Sequence, residues 1–192
     1  MWLTEAGTQR RASLHLVEGA AGLQSLSAGG IEPLEASVSA FTSALCSANH
    51  TLKRALTDSH LFSGIGNAYS DEILHRAQLS PIAMTRKLTE QELARLYETT
   101  RATLLEWIAQ LRAESATTFP EKVTAFRPGM AVHGRYGQPC PRCGAKVQRI
   151  PMPATRLTTV HHVRPMAAYS PIAHYPACYT RTGRGPSKSL KP

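Results

Sequence analysis

Acidic residues are absent from the last 71 residues of this 192-residue chain. The first 121 residues hold all 13 Asp and Glu against 10 Lys and Arg, a net charge of −3. The rest carries 12 basic residues and no acid, a net charge of +12. An excess of positive charge attracts nucleic acid whatever its sequence. The distribution therefore favours a nucleic-acid partner, although an acid-free tail can also arise without selection for binding.

Long apolar runs are absent too, and cysteine is scarce. No apolar run approaches the length of a membrane span, and the N-terminus lacks the basic and apolar regions of a secretory signal. Two of the four cysteines form a Cys-x-x-Cys pair, which suits a reduced compartment and a metal site better than a disulfide scaffold. We therefore expect a cytoplasmic protein, monomeric and without a membrane segment, of one ordinary domain or two small ones.

The stretch Leu52–Leu74 organises the chain. It contains a short amphipathic segment, a turn with Gly64 and Gly66, and a second helical pattern. The first amides of that second helix would lack internal partners and carry partial positive charge, which suits a phosphate. Asn67 could add an amide donor and Lys53 a cation. The alternative is a helix hairpin whose glycines only make the turn.

Two other segments have helical spacing and should form the core. Thr89 and Glu92 have the spacing of a capping box, and apolar residues then recur every three or four positions. Residues 31–50 show the same period behind Pro33. We assign these two apolar faces to packing.

A possible metal site begins at Cys140 and Cys143. Two thiolates on a turn with Gly144 can hold one side of a tetrahedral zinc, but four ligands are needed. No second Cys-x-x-Cys pair follows at the expected distance. The candidates downstream are His161, His162, His174 and Cys178, in a context unlike a zinc hairpin.

Several of these motifs, in this order, resemble the formamidopyrimidine-DNA glycosylase and endonuclease VIII family. The resemblance covers about residues 1–150, and its centre is similar to the family's helix–two-turn–helix. The matching positions are the Lys53 segment, Asp58, Leu61, Gly64–Glu72, His75–Ala77, Ser80–Pro81, Val132–Arg135 and Gln138–Gly144. The resemblance implies binding of double-stranded DNA through Lys53, Gly66 and Asn67, and zinc at Cys140 and Cys143. It also implies that Arg10 or Arg11 enters the DNA, with Arg11 our candidate; the alternative is a solvated strand edge.

The family removes oxidised bases and then cuts the DNA at the abasic site. The resemblance implies a nucleophilic N-terminal proline and an adjacent glutamate acting on protons. Here Trp2 follows Met1, and Glu5 lacks the family's context. We therefore expect a fragment without a catalytic residue. A repair glycosylase/lyase represented by a fragment, a non-catalytic DNA-binding module and a non-functional product remain three hypotheses.

These observations predict a mainly α protein in four parts. Residues 1–30 would be a β remnant of the catalytic sandwich, and 31–128 the helix–two-turn–helix domain. Residues 129–150 would be the first half of a zinc-finger hairpin, and 151–192 an irregular tail with seven prolines. For one choice of codons for residues 153–160, reading from the third base gives a peptide that ends in Tyr-Cys. This pair is typical of the family's second zinc strand. We hypothesise a frame shift near Ile150.

Overall fold

The computed structural model describes residues 13–116 and 126–148, and these ranges are mainly helical. The elements are α1 (Gly19–Ser25), α2 (Val38–Cys46), α3 (Leu52–Thr57), α4 (Asn67–Ala77), a 3₁₀ turn (Thr85–Lys87) and α5 (Glu90–Glu114). Within the described ranges, β structure is limited to isolated bridges such as Ile31–Phe62 and Pro139–Lys146. The predicted mainly α class is therefore confirmed.

The core lies where α2 and α4 pack against α5, and α3 packs on α4. Phe41 of α2 contacts the rings of Phe62 and Tyr97 at centroid distances of 4.7 and 5.5 Å. These aromatic rings join one buried apolar cluster, which also includes Leu45, Leu52, Leu56, Ile65, Ile73, Leu74 and Leu96. Burial of this surface is the main force that holds the helices together. Because Ile65 belongs to the cluster, the turn between α3 and α4 is fixed to the core from inside.

Helix α5 begins as the sequence predicts. The Thr89 hydroxyl accepts a hydrogen bond from the Glu92 amide, and the Glu92 carboxylate accepts one from the Thr89 amide. This reciprocal pair satisfies two amides that the helix itself leaves unbonded. The predicted capping box is confirmed, and α5 continues for 25 residues.

The segment 126–148 packs against the helices through two smaller clusters. Met130 contacts Trp107 of α5 and Ala68 of α4, whereas Val132 packs with Cys140 and Val147. Trp107 therefore packs at the junction between α4, α5 and this segment. The apolar contacts of the segment 126–148 place the turn with Cys140 and Cys143 close to α4.

The predicted parts outside the helical domain are less well supported. Residues 13–18 have no regular structure, and Gly19–Ser25 form a short helix with no buried residue, so the β remnant is not confirmed. The segment predicted as a zinc hairpin contains the isolated Pro139–Lys146 bridge, and the hairpin itself is not confirmed. Arg11 and the tail 151–192 lie outside the described residues. The proposed domain boundaries remain predictions.

Candidate nucleic-acid interface

The turn between α3 and α4 carries the predicted glycines. Gly64 has φ of +74°, a conformation that favours glycine, whereas Gly66 is extended with φ of −100°. Positive φ thus explains Gly64 but not Gly66. A Cβ at either position would meet nothing within 4 Å, so the surface beside both glycines is open. Ile65 between them is 5% exposed and holds the turn in place.

The N-terminus of α4 has the features of an anion site. Gly66 is its N-cap, and neither a capping side chain nor an acid is found in the first turn. The first backbone bond into this helix runs from the Ser70 amide to the Gly66 carbonyl, 3.0 Å apart. The amides before Ser70 therefore have no intrahelical partner and carry the positive end of the helix dipole. Asn67 is exposed beside them, where its side-chain amide can also donate.

Lys53 lies behind this turn instead of on its surface. Its side chain is 4% exposed, and its ammonium group forms an ion pair with the Asp71 carboxylate. The same Nζ donates to the Asn67 carbonyl oxygen at 2.7 Å. Burial lowers the pKa of Lys53, while the Asp71 charge and hydrogen bond oppose the shift. Lys53 therefore neutralises Asp71 and holds the backbone of Asn67 from the buried side of the turn, and its predicted role in DNA binding stays a prediction.

Asp71 extends this arrangement to the segment 126–148. Its second oxygen lies 2.8 Å from His133 Nδ1, while its first contacts Lys53. The His133 ring in turn stacks on Phe126, with centroids 5.2 Å apart and an interplanar angle of 25°. A continuous series of contacts thus leads from Asn67 to Phe126. Sequence reasoning missed this role of His133, although it had noted the Val132–Arg135 motif.

Glu72 anchors the same segment through its backbone. Its carboxylate accepts hydrogen bonds from the amides of Ala131, Val132 and His133, each 2.9 Å long. Hydrogen bonds to a charged acceptor are stronger than neutral ones. In the sequence, the only signal for this contact was the pair of adjacent acids, Asp71 and Glu72, within a helix that packs against the core. Glu72 is 7% exposed, and this pattern of amide bonds satisfies it.

The two-cysteine turn is well formed. Gly144 has φ of +71°, and its amide donates to the Cys140 carbonyl at 2.8 Å. The Cys140 thiol is buried, and its Sγ lies 3.2 Å from Nε2 of His75. Burial, with a smaller contribution from Arg142, lowers the pKa of His75 to about 4, so this ring is neutral at neutral pH.

The described residues supply only part of a zinc site. The spacing and turn of Cys140 and Cys143 fit two positions of a tetrahedral ion. In 13–116 and 126–148, however, no three His, Cys, Asp or Glu side chains come together in a way that could hold a metal. The other candidates, His161, His162, His174 and Cys178, lie outside those ranges. In the same ranges no helix is both long and apolar enough to cross a membrane.

Comparison with known proteins identifies the central fold. Residues 30–119 match the family described as "Formamidopyrimidine-DNA glycosylase H2TH domain". An "Uncharacterized formamidopyrimidine-DNA glycosylase-like protein" of Mycobacterium tuberculosis is 35% identical over 121 residues, which are 63% of this chain and 75% of that protein. The formamidopyrimidine-DNA glycosylase of Thermus thermophilus is 41% identical over 102 residues, 51% of this chain. The chain spans only 38% of that relative's length.

A solved structure supports the same relationship. The crystal structure of Lactococcus lactis Fpg (MutM) in complex with FAPY-dG-containing DNA aligns with a TM-score of 0.58 at 26% identity. The alignment covers 72% of this chain and 51% of that one. The similarity therefore extends through the helical domain and leaves about half of the solved chain unmatched.

Proposed function

Because this chain belongs to the formamidopyrimidine-DNA glycosylase and endonuclease VIII family, we propose that it is a repair-type protein whose helical domain binds the backbone of double-stranded DNA. The observation that carries this proposal is the uncapped N-terminus of α4 beside two open glycines. Free amides, a positive helix end and the Asn67 side chain together suit one phosphate group. The DNA in the Lactococcus lactis complex makes duplex DNA the natural partner to test.

Within this proposal Gly66 and Asn67 contact the phosphate, and Lys53 positions them. A side chain at Gly66 would enter the open space where the phosphate is expected. Lys53 already has two acceptors, Asp71 and the Asn67 carbonyl, and its ammonium is nearly inaccessible. We therefore assign Lys53 an indirect role, through the conformation of the turn. Arg11 stays a candidate for a separate DNA contact outside the described residues.

The proposal does not include the family's catalytic reactions. Base removal and strand cleavage belong to the relatives, and for this polypeptide we propose DNA binding without those reactions. A lyase needs an accessible, unprotonated amine next to the sugar. Lys53 has a lowered pKa, but Asp71 and the surrounding core block its approach to a substrate. The proposal is thus a repair-enzyme fragment that retains damaged-DNA binding. The alternatives are an independent non-catalytic DNA-binding module and a product without function.

Zinc, oligomeric state and location are also proposals. Cys140 and Cys143 would supply two of the four ligands of the family's zinc, which would cross-link the turn when bound. We propose a monomer that works in the cytoplasm on nucleoid DNA.

Fluorescence anisotropy with a labelled duplex tests the DNA proposal. Phosphate contacts predict that affinity falls steeply between about 50 and 200 mM salt and hardly changes between unrelated duplexes. Asn67→Ala should weaken binding about tenfold, the effect of losing a hydrogen bond to a charged group. The salt slope should stay the same, since asparagine is neutral.

Gln91→Ala provides a matched control for that experiment. Gln91 is also an exposed amide in the first turn of a helix, but side chains cap the N-terminus of α5. Its removal should leave the affinity unchanged. Equal affinities for wild type, Asn67→Ala and Gln91→Ala would rule out a phosphate at α4.

A further inference from the structure

A cleft of about 270 Å³ lies between α4, α5 and the segment 126–148. Its wall combines side chains from all three, among them His75, Arg76, Thr103, Trp107 and Arg142. The residues from α4 belong to the C-terminal half of that helix, away from the turn at its N-terminus. In the liquid this volume would hold roughly nine water molecules, so an organic molecule of about ten non-hydrogen atoms fits.

The wall contains a buried hydroxyl whose hydrogen bonds are unmade. Thr103 is 3% exposed, and its Oγ1 has no hydrogen-bond partner within residues 13–116 and 126–148. Thr100, one turn earlier on α5, solves the same problem by donating to the Leu96 carbonyl at 2.7 Å. A buried hydroxyl left unbonded costs free energy, and it can both donate and accept. Thr103 therefore offers a bound molecule a polar contact that the described protein does not use.

The segment 126–148 contributes a cation to the same wall. Arg142 belongs to no salt bridge among the described residues, and its hydrogen bond from Nη1 to the Arg76 carbonyl is long, at 3.4 Å. The charge of Arg76, in contrast, is paired with Glu106. Glu72 is satisfied by three backbone amides. Arg142 is thus the charged group of the wall with donors available for an anion.

The charges in the wall also limit which anion fits. A guanidinium group binds a carboxylate through two parallel hydrogen bonds. Glu72 and Glu106 line the cleft as well, and they would repel a doubly charged group such as phosphate. A single carboxylate is therefore the better partner for Arg142.

Trp107 supplies an apolar surface in this cleft. Its ring meets Tyr69 edge-on at a centroid distance of 6.0 Å and packs on Met130, so its position is fixed. Gly129 also lines the cleft, with φ of +91°, and a Cβ there would come within 4.0 Å of the indole. Because glycine has no side chain, that part of the indole is left open to a ligand. Aromatic rings pair favourably with an indole.

We propose that this cleft is a binding site for a small aromatic monocarboxylate. The carboxylate binds Arg142, the ring packs on Trp107, and a polar substituent on the ring bonds to the Thr103 hydroxyl. Such a molecule would connect α4, α5 and the segment 126–148, which the protein otherwise joins through Glu72 and a few apolar contacts. This site is separate from the proposed DNA contact, so either proposal can fail alone.

Nuclear magnetic resonance of the tryptophan indoles in the full chain, titrated with 4-hydroxybenzoate, tests the site. The chain has two tryptophans, and Trp107→Phe assigns their two indole N–H signals. The Trp107 signal should shift saturably with a Kd on the order of 0.1 to 1 mM, within the range for a ligand of this size. 4-Hydroxybenzamide, which has the same shape without the charge, should bind at least about tenfold more weakly. No saturable shift up to about 20 mM 4-hydroxybenzoate would overturn the proposal and leave the cleft to water.

Two variants test the individual contacts. Arg142→Gln should weaken 4-hydroxybenzoate binding about tenfold, whereas Arg112→Gln, which removes an exposed cation of α5 outside the cleft, should not change it. Thr103→Val should weaken 4-hydroxybenzoate roughly fivefold but leave benzoate, which lacks the hydroxyl, unaffected. A purely structural role of Thr103 would change both ligands equally, and that result would overturn its assignment.

The comparison of ligands in the wild-type protein keeps the test decisive if a variant does not fold. Equal affinities for 4-hydroxybenzoate and 4-hydroxybenzamide would contradict the role of Arg142. Wild-type affinity in a folded Arg142→Gln protein would contradict it as well.

Discussion

Replacing Lys53 with Met tests whether this lysine contacts DNA or supports the turn from behind. Met keeps most of the length of the side chain and removes its charge, leaving Asp71 buried with His133 as its remaining side-chain partner. Removing one member of a buried ion pair typically destabilises a protein by about 3 to 5 kcal/mol. Small domains are stable by only about 5 to 15 kcal/mol, so a large part of the stability should be lost.

Urea unfolding followed by circular dichroism measures this loss. With a slope of about 1.5 kcal/mol per molar urea, the midpoint should fall by roughly 2 to 3 M. Changing Asp71 to Asn in the same chain removes the stranded charge, so the double variant should recover much of the midpoint. Arg54→Met, which removes the adjacent exposed cation of α3, should leave the midpoint within experimental error.

DNA binding without urea, at a temperature where each variant is folded, completes the test. The indirect role predicts an unchanged salt slope for Lys53→Met, because no phosphate contact is removed. A direct contact would reduce the magnitude of the slope by about 1. A Lys53→Met protein with a wild-type midpoint and a reduced slope would refute our interpretation of the buried pair.

Three other predictions concern metal, catalysis and acid stability. Chelator-washed protein should retain little zinc, since two thiolates leave two positions unfilled; one tightly bound zinc per chain by elemental analysis would show that residues outside the described ranges complete the site. The polypeptide should not be trapped efficiently by borohydride on an abasic duplex, and efficient cross-linking mapped to its N-terminal residue would contradict our proposal that it lacks lyase activity. In metal-free protein, the folded-state pKa of about 4 for His75 lies below the unfolded value of 6.5, so the unfolded chain binds more protons between them. Stability should therefore fall by up to about 3 kcal/mol from pH 6.5 to 4, and His75→Phe should remove that part of the pH dependence in acid titrations followed by fluorescence.

The sequence allowed the helical domain to be predicted because its signals are local. The capping box at Thr89 and the apolar period behind it specify α5, and the glycine turn specifies the start of α4. Local signals also located Asn67 on the surface. They could not show that Lys53 turns inward, because an amphipathic pattern gives no information about which buried acid lies opposite.

The contacts that connect α4 with the segment 126–148 could not be predicted for the same reason. Glu72 accepts hydrogen bonds from backbone amides about 60 positions away. Because almost every residue has a backbone amide, the sequence does not show which ones Glu72 contacts. His75 had been noted only as part of the family pattern, and its contact with Cys140 depends on how two distant elements dock. Long-range partners of this kind follow from tertiary packing.

The contacts of α4 also restrict how this protein can change in length. An α-helix advances by about 1.5 Å and turns by about 100° per residue. Deleting one residue between Gly66 and Asp71 would rotate the carboxylates and His75 away from the segment 126–148, while the turn at Gly64 and Gly66 stayed in place. Deletion after His75 would spare all of these contacts. Insertions and deletions in α4 before His75 should therefore be far more damaging than substitutions on its exposed face. A deletion scan across the helix would show after which residue a deletion is tolerated.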